Sequence, residues 1–153
     1  MKHAFTSIEL LLVLVLMAIV LGTAVANYSG TFEAMQLKKS ADDLAHLMRY
    51  AQVRSTIEGT LMCITFSADK RQYQLQQADI DEQGKAGKFY SINHRLGRPV
   101  VLPKSVSLSL QVSSVNFYPD GTMDKVRIYL KNKTGQITLS SMEQRKHVLV
   151  FEQ

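Results

Sequence analysis

From Leu10 to Phe32 the chain runs for 23 residues without a charged side chain. No other feature constrains it as strongly, because an apolar stretch of this length must be cut away, sunk in lipid or covered by protein. The same block holds much of the 46% of residues that are apolar in the 153-residue chain. Composition therefore overstates the core available for folding. Roughly 95 residues follow Gly59, enough for one small core but not for a second domain or a large buried active site.

Three readings compete for the opening MKHAFTSIELLLVLVLMAIVLGTAVANYSG. A secretory signal peptide would use Leu10 to Leu21 as its apolar region and Ala24-Val25-Ala26 as a small-residue cleavage site. A signal anchor would use Leu10 to Ala26, about 25 Å of helix, with Phe5 to Ile8 extending it across the hydrocarbon. The third reading starts from Glu9. A carboxylate at the head of such a run is costly, about 2.5–3.5 kcal/mol if it reaches the membrane centre, and it spoils the positive flank of a signal peptide. An acid so placed calls for a partner, and the candidate is an α-amino group freed by cleavage just upstream.

The pattern beyond the apolar block favours one continuous helix. At helical spacing the residues Leu12, Leu16, Ile19, Thr23, Ala26, Gly30, Ala34, Leu37, Ala41, Leu44, Met48, Ala51 and Ser55 form a stripe without a charge or a large polar group. A segment cleaved at Ala26 has no reason to stay in phase with the mature domain beyond it. The phase predicts a helix from about Phe5 to Glu58, with Gly59 at its C-terminal cap. Gly22 to Gly30 is its weakest stretch, where Gly, Thr, Asn and Ser permit local melting.

After Gly59 the period changes to two. TLMCITFS and QYQLQQ, separated by Ala68-Asp69-Lys70-Arg71, read as a hairpin, and Ala78 to Lys88 reads as a loop. Shorter strand-like runs come next at 89–92, 106–112, 115–118, 125–130, 136–140 and 147–151. Pro119-Asp120-Gly121 and Asn132-Lys133-Thr134-Gly135 mark turns between them.

Catalytic signals fail on context. Ser67-Ala68-Asp69-Lys70 and Lys133-Thr134-Gly135 mimic elements of penicillin-binding enzymes, but the Ser ends a strand instead of opening a helix, and the S-D-N element is missing. His3, His46, His94 and His147 have no metal-ligand spacing, and Asp79, Asp81 and Glu82 fit no calcium loop. Cys63, the only cysteine, excludes an intrachain disulfide and a cysteine zinc cage. Neither a cofactor nor a metal is expected.

The 18 Lys and Arg against 13 Asp and Glu, a net +5, permit an acidic partner without demanding one. Lys125, Arg127, Tyr129, Lys131 and Lys133 share one strand parity, against Val126, Ile128 and Leu130 on the other. The stripe is either the polar face of an ordinary half-buried strand or a surface for an acidic partner such as DNA, with a base stacked on Tyr129. Lys85, Lys88, Arg95, Arg98 and Lys104 would enlarge it if they met it in space.

Ala4-Phe5-Thr6-Ser7-Ile8-Glu9-Leu10 resembles the processing site of type IV pilins and type II secretion pseudopilins. The resemblance implies a cut by prepilin peptidase between Ala4 and Phe5, N-methylation of Phe5, and an assembly role for Glu9, which stands at the family's invariant glutamate. Ala4 replaces the usual Gly, and Ala26 stands where many members carry a helix-kinking Pro. Two further stretches are similar to the branch of minor pseudopilin H and FimT-type minor pilins: 41–54 leading into Gly59, and Val115 to Gly121 with the strand and Thr134-Gly135 after it.

The resemblance implies an α+β, pilin-like fold, with a long N-terminal helix on an antiparallel β domain. Residues 1–4 would be a leader, 5–58 the helix with a transmembrane segment about 10–26, and 59–153 the β domain. The expected protein is a non-enzymatic minor pseudopilin in the bacterial inner membrane, its N-terminus cytoplasmic and its β domain periplasmic, and afterwards in the pseudopilus. Its expected partners are other pseudopilins or minor pilins. A DNA-binding minor pilin is the alternative within the family, and an exported β protein with an ordinary signal peptide the alternative outside it.

Overall fold

Nothing in the first 98 residues forbids a long helix, since the three prolines stand at 99, 103 and 119. The computed structural model describes residues 6–67, 69, 71–80, 86–92, 95–141 and 149–152, with the side chains of 23–29, 79, 80, 86, 95 and 152 outside the description. In it α1 runs unbroken from Ser7 to Glu58, 52 residues. The stretch from Gly22 to Gly30, expected to be its weakest, is helical throughout. Gly59 ends the helix at φ 62°, the left-handed conformation that glycine adopts without strain. Ser55 C=O accepts from the Gly59 N–H and, at 3.2 Å, from that of Thr60, the closing bond of a Schellman-type cap.

The described residues of the β domain form two antiparallel sheets. Sheet A contains β1 (Leu61–Ser67), β2 (Gln72–Ile80), β3 (Ala86–Ser91), β4 (Val100–Val101) and β6 (Ser114–Phe117), in the order β3-β2-β1-β6 with β4 also on β2. Sheet B contains β5 (Ser107–Leu110), β7 (Arg127–Lys131), β8 (Gln136–Ser140) and β9 (Leu149–Glu152), in the order β5-β7-β8-β9. Both sheets pack on α1, and the core forms where the three meet: Leu44, Met48, Ile64, Leu75, Val115, Ile128 and Leu139 are all 1% exposed or less. The architecture is α+β, a long N-terminal helix on an antiparallel β domain.

One connection stitches the two sheets together. Met123 bridges Phe117, and the Asp124 N–H donates to Asn116 C=O at 3.0 Å, extending sheet A. Two residues on, Val126 C=O accepts from the Ser141 N–H at 3.0 Å, at the end of β8. Asp124 locks the crossing: its Oδ2 accepts from the Asn116 backbone N–H and Nδ2, and its Oδ1 from the Tyr118 hydroxyl, each at 2.9 Å. The turn before it is tied to α1, with Gln52 Nε2 donating to Gly121 C=O at 2.7 Å and Ser55 Oγ to Tyr118 C=O at 3.0 Å.

Several local expectations change. The loop expected over Ala78 to Lys88 is shorter, because β2 continues to Ile80 and β3 begins at Ala86. The strand expected over 106–112 narrows to β5. β4 and the 3-10 turn Arg95–Gly97 carry no strand or helix signal. β4 is held by tertiary bonds instead: Leu102 N–H donates to Arg71 C=O at 2.9 Å, and the Arg71 guanidinium returns bonds to Leu102 and Pro103 C=O. The leader 1–4 and Phe5 lie outside the described residues.

Candidate functional site

The helix has two halves with opposite surroundings. Below Gly30 the stripe is buried from Leu37 (4% exposed) through Leu44 (0%) to Ser55 (0%), against β1, β6, β7 and β8. Above it the large apolar side chains from Leu10 to Leu21 are 43–65% exposed, and Leu10, Leu11, Leu12, Val13 and Leu14 succeed one another around the whole circumference. A helix apolar on every side demands an apolar surrounding on every side. Among the described residues no helix is long and apolar enough to cross a membrane. The side chains of 23–29, between the two halves, are outside the description.

Glu9 sits at the mouth of this half. Thr6 is the N-cap residue in extended conformation, and its C=O accepts from the N–H groups of Glu9 (3.1 Å) and Leu10 (3.3 Å). Thr6-Ser7-Ile8-Glu9 has the spacing of a capping box, yet the Thr6 side chain makes no cap hydrogen bond. The exposed Glu9 carboxylate lies in the first turn, where the helix dipole favours a negative charge. Ala4 and Phe5 fall outside the described residues.

On sheet B the alternation of β7 is present: Val126, Ile128 and Leu130 are 3% exposed or less, while Arg127 and Lys131 are exposed and Tyr129 is half-buried. Lys125 precedes the strand and Lys133 stands in the turn after it, both exposed. The register extends the face, with Ser109, Tyr129, Thr138 and Phe151 in one row across the four strands and Ser107, Lys131 and Gln136 in the next. β5, β7 and β8 contain no acid. Of the second basic set, Lys88 stands on sheet A, and Arg98 and Lys104 on the connections around β4. Lys85 and the Arg95 side chain are outside the description.

The sequences that mimic catalytic elements are apart. Ser67 ends β1 in sheet A, whereas Thr134 belongs to the β7–β8 turn, its N–H and hydroxyl both donating to Asn132 Oδ1. Ala68, Lys70, Asp81, Glu82, His3, His94 and His147 lie outside the described residues, and the described ones hold no metal-binding cluster. Cys63 is 1% exposed, and burial pushes its thiol up to about 11. It is a small hydrophobe of β1 and not a nucleophile at neutral pH.

Sequence reasoning missed a groove between α1 and β4. Its helical side is Phe32, Met35, Lys39 and Asp43, and its far wall Val100 and Val101. Phe32 and Met35, apolar but off the stripe, were the available signal; the position of β4 gave none.

No protein-family model matches the chain, and no curated protein does. Solved structures do. The chain is similar to the minor pseudopilin EpsH from the type 2 secretion system of Vibrio cholerae, at 12% identity over 77% of this chain and 96% of that one, with a TM-score of 0.59. A crystal structure of EpsH from the same organism gives 0.58 at 10% identity, over 77% and 95%. The type IV minor pilin FimU of Pseudomonas aeruginosa PAO1 gives 0.56 at 14% identity, over 78% and 90%. The fold is pilin-like.

Proposed function

We propose that this chain is a minor pseudopilin, a structural subunit of a type II secretion pseudopilus. The observation that carries the reading is the divided helix: one unbroken α1 whose lower half is buried under its own β domain and whose upper half exposes apolar side chains on all sides. Leu10 to Ala26 would hold the subunit in the inner membrane before assembly, with the β domain on the periplasmic face, and the same surface would then pack against other pseudopilins. Cleavage between Ala4 and Phe5 by prepilin peptidase would create an amino terminus, methylated on Phe5, that Glu9 neutralises. A lone carboxylate entering an apolar filament core is costly, and pairing makes its position specific. The likeness of the fold to a minor pseudopilin and a minor pilin supports this reading.

Mass spectrometry of the mature N-terminus is the decisive test. Methylated Phe5 is the expected first residue; Asn27 would identify an ordinary signal peptide and overturn the proposal. Glu9→Ala should leave the chain inserted but unassembled, and normal assembly of that variant would sink the role given to Glu9.

The acid-free face around Arg127, Tyr129 and Lys131 favours a second reading, a minor pilin that binds DNA. Gel-shift titration separates the two. Salt-sensitive binding lost on charge reversal at Arg127 and Lys131 supports DNA uptake, and no binding at low salt leaves secretion.

A further inference from the structure

Two connections of the β domain grip α1 just below its naked half. Asn132, in the β7–β8 turn, donates from Nδ2 to Glu33 C=O at 2.8 Å, and Ser105, in the turn between β4 and β5, donates from Oγ to Gln36 Oε1. Beside them, between α1 and β4, lies an open cavity of about 470 Å3 whose lips are bare hydrocarbon: Phe32 is 62% exposed, Met35 65% and Val101 66%. Three such side chains around one cavity form a patch, which a chain in water seldom keeps uncovered without a use. Lys39 lines the same cavity, and Lys104 and Lys133 stand exposed in the two turns. Asp43 lies one helical turn lower in the cavity; the acids of the rim itself are Glu33, half-buried, and Glu152, whose side chain is outside the description.

Position along the helix decides what such a rim meets. Phe32 stands six residues beyond Ala26, the end of the apolar run, which is about 9 Å of helix. The headgroup layer on one side of a bilayer is about 5–8 Å deep. With the run filling the hydrocarbon, Phe32 is therefore at the outer margin of the headgroups, and its side chain, like those of Met35 and Lys39, leans back along α1 toward the N-terminus. A tilt of about 20°, the average for membrane helices, toward the β4 flank lowers Met35 and Val101 into the same layer. That layer suits both components of the rim, since apolar side chains sink to the acyl boundary while lysines keep their ammonium groups among the phosphates. Each lysine held near an anionic surface strengthens attachment by about fivefold.

We infer that this rim, with Phe32, Met35 and Val101 as its apolar contact and Lys39, Lys104 and Lys133 as its cationic one, rests on the headgroups of anionic phospholipids while the subunit is in the membrane. The inference rests on the membrane-held subunit of the proposed function and adds the posture of its β domain. The domain leans on the bilayer along its β4 flank instead of standing free at the end of α1.

The chain has no Trp, so Val101→Trp or Phe32→Trp supplies a single fluorescent reporter. In the full chain, reconstituted in vesicles of three parts phosphatidylcholine to one part phosphatidylglycerol, with bromine on the acyl chains next to the headgroup, both reporters should be quenched at least twofold. Ile57→Trp, at a position 77% exposed and about 37 Å further along α1 than Phe32, should not be quenched. Omitting phosphatidylglycerol, or combining Lys39→Glu with Lys104→Glu, should remove more than half of the quenching at Val101→Trp. The inference is overturned by reporters no more quenched than Ile57→Trp, by quenching indifferent to lipid charge and to the paired reversal, or by reporters that respond to added DNA and not to vesicles. Leu14→Trp with lipids brominated deep in the acyl chains keeps the two readings separable. Quenching at Leu14→Trp without quenching at Val101→Trp sinks the contact alone, whereas the reverse pattern sinks the membrane-held reading alone.

Discussion

The two halves of α1 share one backbone and one helical phase but differ in what surrounds them. From Leu37 to Ser55 the apolar positions occupy one side, nearly all sealed by the two sheets, while Lys39, Asp42, Asp43 and Arg49 keep the other side wet. From Leu10 to Leu21 no side is polar and none is covered. A stripe records a partner that lies on one side only; a full circumference records one that lies everywhere. The lower half is thus the foundation of the β domain. The upper half leaves its apolar side chains uncovered and stands outside that domain's core.

The widest gap between the halves should appear on truncating a leucine in each. Leu44 is fully buried in the core, so Leu44→Ala is expected to cost about 2–5 kcal/mol through lost burial and the cavity left behind. Leu14, 58% exposed, should change stability by less than about 0.5 kcal/mol on the same substitution. Urea unfolding in detergent, followed by the tyrosine signal in the absence of any Trp, measures both. Equal effects would show that the upper half also supports the β domain.

Alkaline titration should weaken the domain under the lower half. Burial pushes the Cys63 thiol up to about 11, and burial, followed by the nearby Asp43 charge, pushes the Tyr73 phenol up to about 12. Both groups are neutral when protonated, and their folded values exceed the ordinary values of 9.0 and 10.0. Their contribution is therefore complete below those ordinary values and is lost as pH rises, between 9.0 and about 11 for Cys63 and between 10.0 and about 12 for Tyr73. The loss is on the order of 3 kcal/mol for each. Unfolding at stepped pH should show the decline, with Cys63 unreactive to thiol reagents at pH 8 until the chain unfolds. Constant stability to pH 12 would contradict the burial of both groups.

Much of this was legible because it is local. The phase from Leu12 to Ser55 sets the helix faces, and Gly59 marks the cap, since both depend on neighbours within a turn or two. The parity of Arg127, Tyr129 and Lys131 likewise announced which side of β7 faces solvent. β4 was not legible, because two valines between Pro99 and Pro103 become a strand only when Arg71, some thirty residues earlier, bonds to 102 and 103. The groove depends on β4 and was hidden with it. In Pro119-Asp120-Gly121 only the turn could be read; Asp124, which ties Asn116 and Tyr118 across the joint between the sheets, gives no sign of that role in the linear chain.

The smallest test of the comparison sets two glycines against each other. Neither Gly22 nor Gly59 has an atom within 4 Å of the position a Cβ would take, so the backbone alone decides the effect of alanine. Gly59 has φ 62° and closes the cap on Ser55, where alanine incurs the left-handed penalty of about 1 kcal/mol. Gly22 lies within the helical run of the upper half, where replacing glycine by alanine is worth about 0.5–1 kcal/mol in the opposite direction. Gly59→Ala should therefore speed amide exchange at the end of α1 and at the start of β1, and Gly22→Ala should slow it on either side of residue 22. Because Gly22 touches nothing in the β domain, the domain's unfolding midpoint should move with Gly59→Ala and stay fixed with Gly22→Ala. A midpoint that shifts with the substitution at Gly22 would mean that the two halves fold as one cooperative unit, and that the upper half is more than a surface waiting for neighbours.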